Sequence, residues 1–196
     1  MNKHWLLIIY LGLSIPGWAL EKLDERYLIS YGNPQASTQV VEYFSFTCPH
    51  CLSLFQKEFH ELKTRHLDKG AIAFTMHPVP MDLLTVRAMD CLEKLDEGQK
   101  RAFLEVMMEA IQGEDIDSAT KLMQKAMQVL GQPVPHLDKR DYLESSQAFE
   151  KAFLFLRQES KVSALPTAEI NGTLYSNEVP SLVFLESKLK ESPCGR

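Results

Sequence analysis

Two cysteines separated by a proline and a histidine, Cys48-Pro49-His50-Cys51, are the residues of this chain best suited to chemistry. An apolar run precedes them and a helical pattern follows. Proline at the first helical position would make Cys48 the N-cap and Cys51 the third helical residue. The Cys48 sulfur could then accept a hydrogen bond from the Cys51 backbone N–H, a donor with no partner inside the helix. It would also lie at the positive end of the helix dipole. Both effects favour thiolate over thiol, and His50 adds a third favourable interaction if it is protonated or donating. A stabilised thiolate stabilises the reduced dithiol, so the disulfide is the form ready to be given away. The pattern predicts an oxidant in which Cys48 is a good leaving group and Cys51, one turn in and buried, is the resolving thiol.

Other uses of a dithiol fit less well. A purely structural disulfide on the first turn of a helix closes a ring too small to add much stability. A zinc site needs a second pair of ligands, which the isolated Cys91 and Cys194 do not form. No metal and no cofactor are expected, because the two sulfurs hold the two electrons. Cys91 shares a helical face with Leu84, Ala88, Leu92 and Leu95, which suits an inert buried thiol. If the chain is exported, a second disulfide between Cys91 and Cys194 is the alternative.

The elements that must position the dithiol follow from periodicity. Thr38 to Phe46 is almost continuously apolar and β-branched or aromatic, as in a strand covered on both faces. A helix follows to Gly70, and Ala71 to Met76 reads as a second strand, giving a βαβ unit. From Asp82 to about Lys161 the period is helical, with Met107, Met108, Met123 and Met127 at core-facing positions. A last long helix carries Phe149, Ala152, Phe153 and Leu156. After Leu165-Pro166, the segments flanking Asn171-Gly172 predict a hairpin with a tight primed turn, and Leu182 to Leu189 a closing helix. The expected architecture is α/β: residues 20–81 and 162–196 form one domain, interrupted by an all-helical insertion over 82–161.

With 196 residues, 45% hydrophobic and 24% charged, the composition is that of a single globular domain with an insertion. A net charge of −5 argues against a nucleic-acid partner. Residues 1–19 read as a signal peptide: Lys3, an apolar run from Trp5 to Leu13, then Gly17-Trp18-Ala19 as a cleavage pattern. The run is shorter than the roughly 20 apolar residues of a membrane span. Export is therefore expected, and disulfides persist outside the cytosol.

The stretch Gln39-Val40-Val41-Glu42-Tyr43-Phe44-Ser45-Phe46-Thr47-Cys48-Pro49-His50-Cys51 resembles the active-site strand and helix start of the DsbA family of bacterial periplasmic disulfide oxidases. The resemblance implies a thioredoxin fold with an inserted helical subdomain, Cys48 as exposed nucleophile, Cys51 as its partner, and Pro166 as a cis-proline opposite them. The strongly oxidising character of that family comes with the resemblance and is no product of the spacing. Proline also stands just before a strand here, so it must start the strand or make a special turn. A cis Leu165–Pro166 bond would expose the Leu165 backbone to an extended peptide. Leu165, Pro166 and Thr167 are accordingly the expected substrate-binding residues.

Glu42 lies six residues before Cys48 in a strand otherwise too apolar to face water. In thioredoxin folds the matching position often holds a buried acid beneath the dithiol, able to shuttle a proton for Cys51. The alternative is a structural glutamate at an edge or in a hydrogen bond. The lysine that can accompany this acid in the DsbA family is absent from the second strand, where Thr75 is expected to stand.

The resemblance further implies a monomer that donates its disulfide to reduced exported proteins and is re-oxidised by a DsbB-like membrane quinone reductase. Two other readings stay open on sequence: an isomerase or reductase of the same fold, and a periplasmic chaperone or metal-binding module with an incidental dithiol.

Overall fold

The computed structural model of the chain describes residues 25–111, 115–134, 162–176 and 181–191. The expected signal peptide, the long helix expected to carry Phe149, Ala152, Phe153 and Leu156, and Cys194 lie outside these residues. A five-stranded mixed sheet has the order β1-β3-β2-β4-β5. Its strands are β1 (Ile29–Gly32), β2 (Gln39–Phe44), β3 (Ala73–Pro78), β4 (Thr167–Ile170) and β5 (Thr173–Ser176). β2 and β3 run parallel, as a βαβ unit requires, and β4 runs antiparallel to β2.

Two strand expectations need correction. β1 precedes the strand taken as first, and pairs antiparallel with the outer side of β3. Its four residues, Ile29-Ser30-Tyr31-Gly32, are too few to show a clear period. β3 also sits two residues later than expected, so Met76, not Thr75, pairs with Glu42 and lies on its face.

The alternation along β2 divides the molecule. Val40 and Phe44 face the main core, which holds Phe74 and Met76 of β3 and Phe55 and Phe59 of the helix after the dithiol. Tyr43 faces a smaller cluster with Val79 and Val162, against which Val41 and Leu165 pack. At the β4–β5 turn, Asn171 and Gly172 both have positive φ (48° and 83°), the geometry of the primed turn expected from Asn-Gly.

The helix after the dithiol begins as α1 (Pro49–Leu54) and continues through a π-helical turn (Phe55–Phe59), α2 (His60–Leu62) and a second π turn (Lys63–Leu67). Between β3 and β4 come α3 (Leu83–Leu92), α4 (Glu97–Ala110) and α5 (Ile116–Val129). Each is capped by an aspartate, Asp82, Asp96 and Asp115, whose side chain accepts first-turn N–H groups. Met107, Met108, Met123 and Met127 are fully buried, as their spacing predicts. These helices share one continuous core with the sheet. The closing helix, α6 (Leu182–Glu191), packs Phe184 edge-on against Tyr175 of β5.

Candidate active site

The chain leaves β2 at Phe44 and reaches Cys48 through a loop held at both ends. Val79 N–H donates to the Phe44 carbonyl (2.8 Å), and Cys48 N–H to that of Ser45 (3.2 Å). Phe46 N–H donates to Thr85 Oγ1 (3.0 Å) on α3, whose hydroxyl is itself fixed by Asp82. α3 therefore holds the loop that leads to Cys48.

Cys48 is the N-cap of α1, with extended backbone, and Pro49 occupies the first turn. Cys51 N–H donates to Cys48 Sγ at 3.2 Å, the bond expected from the sequence. The two sulfurs form a disulfide with Cα atoms 5.3 Å apart. Cys48 is half-buried, whereas Cys51 is fully buried. An incoming thiolate thus meets Cys48 first. His50 is exposed on the first turn.

The Leu165–Pro166 peptide bond is cis. Because β4 is antiparallel to β2, its amino end lies beside the carboxyl end of β2, and Thr167 pairs with Tyr43. The cis-proline therefore stands at the dithiol end of the sheet. Leu165 is half-buried, and Pro166 is buried. Thr167 has no exposed surface, and its Oγ1 donates to the Ala164 carbonyl (2.7 Å). Its side chain fixes the turn rather than offering a contact surface.

Glu42 is 5% exposed and lies on the sheet face covered by the dithiol's helix. Its strand neighbours on that face, Met76 and Ala168, are neutral. Among the described residues no hydrogen bond or opposite charge holds its carboxyl, and burial alone pushes its pKa from 4.5 up to about 8. It lines a small cavity with Glu58, Leu54, Phe55, Phe59, Leu62 and Leu182.

A family model described as thioredoxin matches residues 25–183. The chain belongs to the thioredoxin family. Solved structures named as DsbA are among those that share its fold. The crystal structure of Wolbachia pipientis alpha-DsbA1 superposes with a TM-score of 0.65 at 16% identity, covering 84% of this chain and 89% of that one. The thiol:disulfide interchange protein DsbA of Salmonella typhi is 28% identical over 144 residues, 61% of this chain and 69% of that protein. A Rickettsia prowazekii protein named "Putative protein-disulfide oxidoreductase" is 42% identical over 55 residues, 28% of this chain. That match spans 20% of the Rickettsia protein's length.

Sequence reasoning missed three titratable groups near β2. Glu58 is one. The others lie on the opposite face: Glu169 Oε2 accepts the Tyr43 hydroxyl at 3.0 Å, and the His77 ring lies 5.2 Å from that of Tyr43. Glu169 sits two residues along β4 from Thr167, the residue facing Tyr43, a diagonal reach that long side chains span. Burial lowers the His77 pKa to about 4, against smaller opposing effects of nearby backbone hydrogen bonds. Cys91 is a free buried thiol, pushed up to about 12 by burial first and then by the Asp90 charge. Among the described residues no group of three His, Cys, Asp or Glu side chains is placed to hold a metal ion.

Proposed function

We propose that this chain is an exported thiol:disulfide oxidase that donates the Cys48–Cys51 disulfide to reduced proteins in the periplasm. The observation that carries the reading is the seat of Cys48, half-exposed at a helix N-cap with the Cys51 N–H aimed at its sulfur. In the reduced protein the same donor and dipole stabilise the Cys48 thiolate. Pro49 pre-sets the first turn, and His50 is exposed on that same turn.

A substrate thiolate attacks Cys48 Sγ. The Cys48–Cys51 bond breaks, a Cys48–substrate disulfide forms, and Cys51 departs with the electron pair. Glu42, protonated at neutral pH, supplies the proton that Cys51 takes up. A second substrate thiolate then attacks the substrate sulfur, and Cys48 leaves as the stabilised thiolate. The substrate is oxidised by two electrons and the dithiol is reduced. The backbone of Leu165 and Pro166 aligns the peptide as an added strand, with Thr167 holding their turn. A DsbB-like membrane quinone reductase restores the disulfide, and the enzyme works as a monomer with no cofactor. Residues 20–81 and 162–196 carry the chemistry, and the insertion over 82–161 anchors the active-site loop through Thr85.

The test is the redox equilibrium of the full chain against glutathione buffers. The expected potential lies well above the roughly −270 mV of thioredoxin. A value at or below that level would make the protein a reductase and overturn the oxidase assignment.

A further inference from the structure

β2 ends at Phe44, yet the residues that follow must carry Cys48 to its seat at the head of α1. Three N–H groups show how this loop is held. Thr47 N–H donates to Ser45 Oγ (3.2 Å) and Cys48 N–H to the Ser45 carbonyl (3.2 Å), so both bonds close within the loop and give it shape. Phe46 N–H is the one of the three that reaches another element, at Thr85 Oγ1 of α3 (3.0 Å). The Phe46 ring is buried edge-on against Phe44, but apolar burial has no preferred direction. A hydrogen bond does, and it weakens steeply as its angle falls. The Thr85 bond therefore fixes how the loop is turned.

Thr85 is fully buried, and both side-chain oxygens of Asp82 are bonded to it. Asp82 Oδ1 accepts the Thr85 N–H at 2.8 Å, which already caps α3, and Oδ2 accepts the Thr85 hydroxyl at 2.8 Å. The cap does not need the hydroxyl. A hydroxyl has one proton and two lone pairs. With its proton on a carboxylate, the Thr85 oxygen faces Phe46 as an acceptor, polarised by the charge behind it. Valine at this position would keep the cap, the branched shape and the apolar contacts. It would lack only the acceptor for the buried Phe46 N–H.

We propose that Thr85 is a positioning residue for disulfide donation: with its hydroxyl set by Asp82, it holds the loop through Phe46 N–H so that Cys48 Sγ stays in line with the Cys51 N–H. This rests on the oxidase reading given above. Cys51 N–H lies 3.2 Å from Cys48 Sγ. In the reduced protein that donor meets a thiolate, and in the oxidised protein a weakly accepting disulfide sulfur. Turning the loop costs the charged acceptor more than the neutral one. Losing the clamp thus destabilises the reduced form relative to the oxidised form, and the protein becomes a weaker oxidant.

The experiment compares Thr85→Val and Thr85→Ser with wild type, each as the full chain, at equilibrium with glutathione redox buffers near neutral pH. Thr85→Val should shift the equilibrium constant by about tenfold toward the disulfide, equivalent to about 30 mV for two electrons. Thr85→Ser keeps the hydroxyl and should return most of that shift. Hydrogen exchange of the Phe46 amide should speed up in Thr85→Val and slow again in Thr85→Ser. A role confined to packing would lower the urea midpoints of both redox forms alike and leave the constant unmoved, and that result overturns the proposal. Asp82→Asn keeps an oxygen for the Thr85 N–H and should shift the constant in the same direction by less. It decides the question if Thr85→Val does not fold, because an unmoved constant there overturns the clamp equally. The oxidase reading is judged apart from both variants, by the wild-type potential: a value at the level of thioredoxin ends that reading, whereas the clamp stands or falls on the difference between variant and wild type.

Discussion

Glu42 and Tyr43 are neighbours in β2 and point to opposite faces of the same sheet. Both faces bury a carboxyl, yet they treat it differently. Behind Tyr43, Glu169 accepts a hydroxyl hydrogen bond at 3.0 Å, and the nearby His77 is held neutral by burial. Beside the dithiol's helix, Glu42 has neither hydrogen bond nor counter-charge among the described residues, and burial raises its pKa to about 8. A buried polar group without compensation is costly. The Glu169 carboxyl has a donor that offsets part of its burial, whereas the Glu42 carboxyl is held on the face covered by the dithiol's helix without one.

The contrast breaks most sharply at the dithiol. Cys48→Ser should reduce disulfide donation to a reduced peptide to the uncatalysed background, followed by thiol alkylation and mass, while Tyr43→Phe should leave the donation rate near wild type. If Tyr43→Phe also lost donation, the faces would not be separate in function.

Glu42→Gln comes next, and acts on stability. The folded pKa is raised, so the native state binds the extra proton between about pH 4.5 and 8. Stability is full below that window, falls as pH rises through it, and is constant above it. Removing the acid should therefore stabilise the protein by about 3 kcal/mol at pH 7 and little at pH 4, in urea titrations. Equal stability of the two proteins at pH 7 would mean that Glu42 is compensated after all.

Tyr43→Phe acts in the opposite sense, leaving Glu169 buried without that donor. It should cost about 1–3 kcal/mol, read as a lower urea midpoint with unchanged slope. The smallest effect is acidic. His77 has a lowered folded pKa, so the unfolded chain takes up its proton first as pH falls from about 6.5 towards 4. About 1 kcal/mol of stability should be lost by pH 6 relative to pH 8, and His77→Phe should remove that part of the slope.

What could be read in advance was local. The cap of α1 needs only Cys48, Pro49 and Cys51 within four residues, and the primed turn only Asn171 and Gly172. Both appear as their residue types require. Burial of Glu42 was legible because its strand neighbours are too apolar for a surface. The cis state of Pro166 came from family likeness, since most X-Pro bonds are trans. The Tyr43–Glu169 bond joins residues 126 apart and depends on the β2–β4 register. Glu58 required both the π turn and the docking of α6, neither of which leaves a periodic mark. His77 is hidden for a simpler reason: the apolar run that reads as this strand ends at Met76, whereas β3 continues to Pro78.

The most direct test is the titration of Cys48 in the reduced chain, followed by ultraviolet thiolate absorbance with Cys91 and Cys194 replaced by alanine. The expected midpoint lies well below the roughly 8.5 of free cysteine, with Cys51 remaining protonated to much higher pH. A Cys48 midpoint at the free-cysteine value would mean that the helix N-cap does not stabilise the thiolate, and the disulfide would have no driving force to leave this protein.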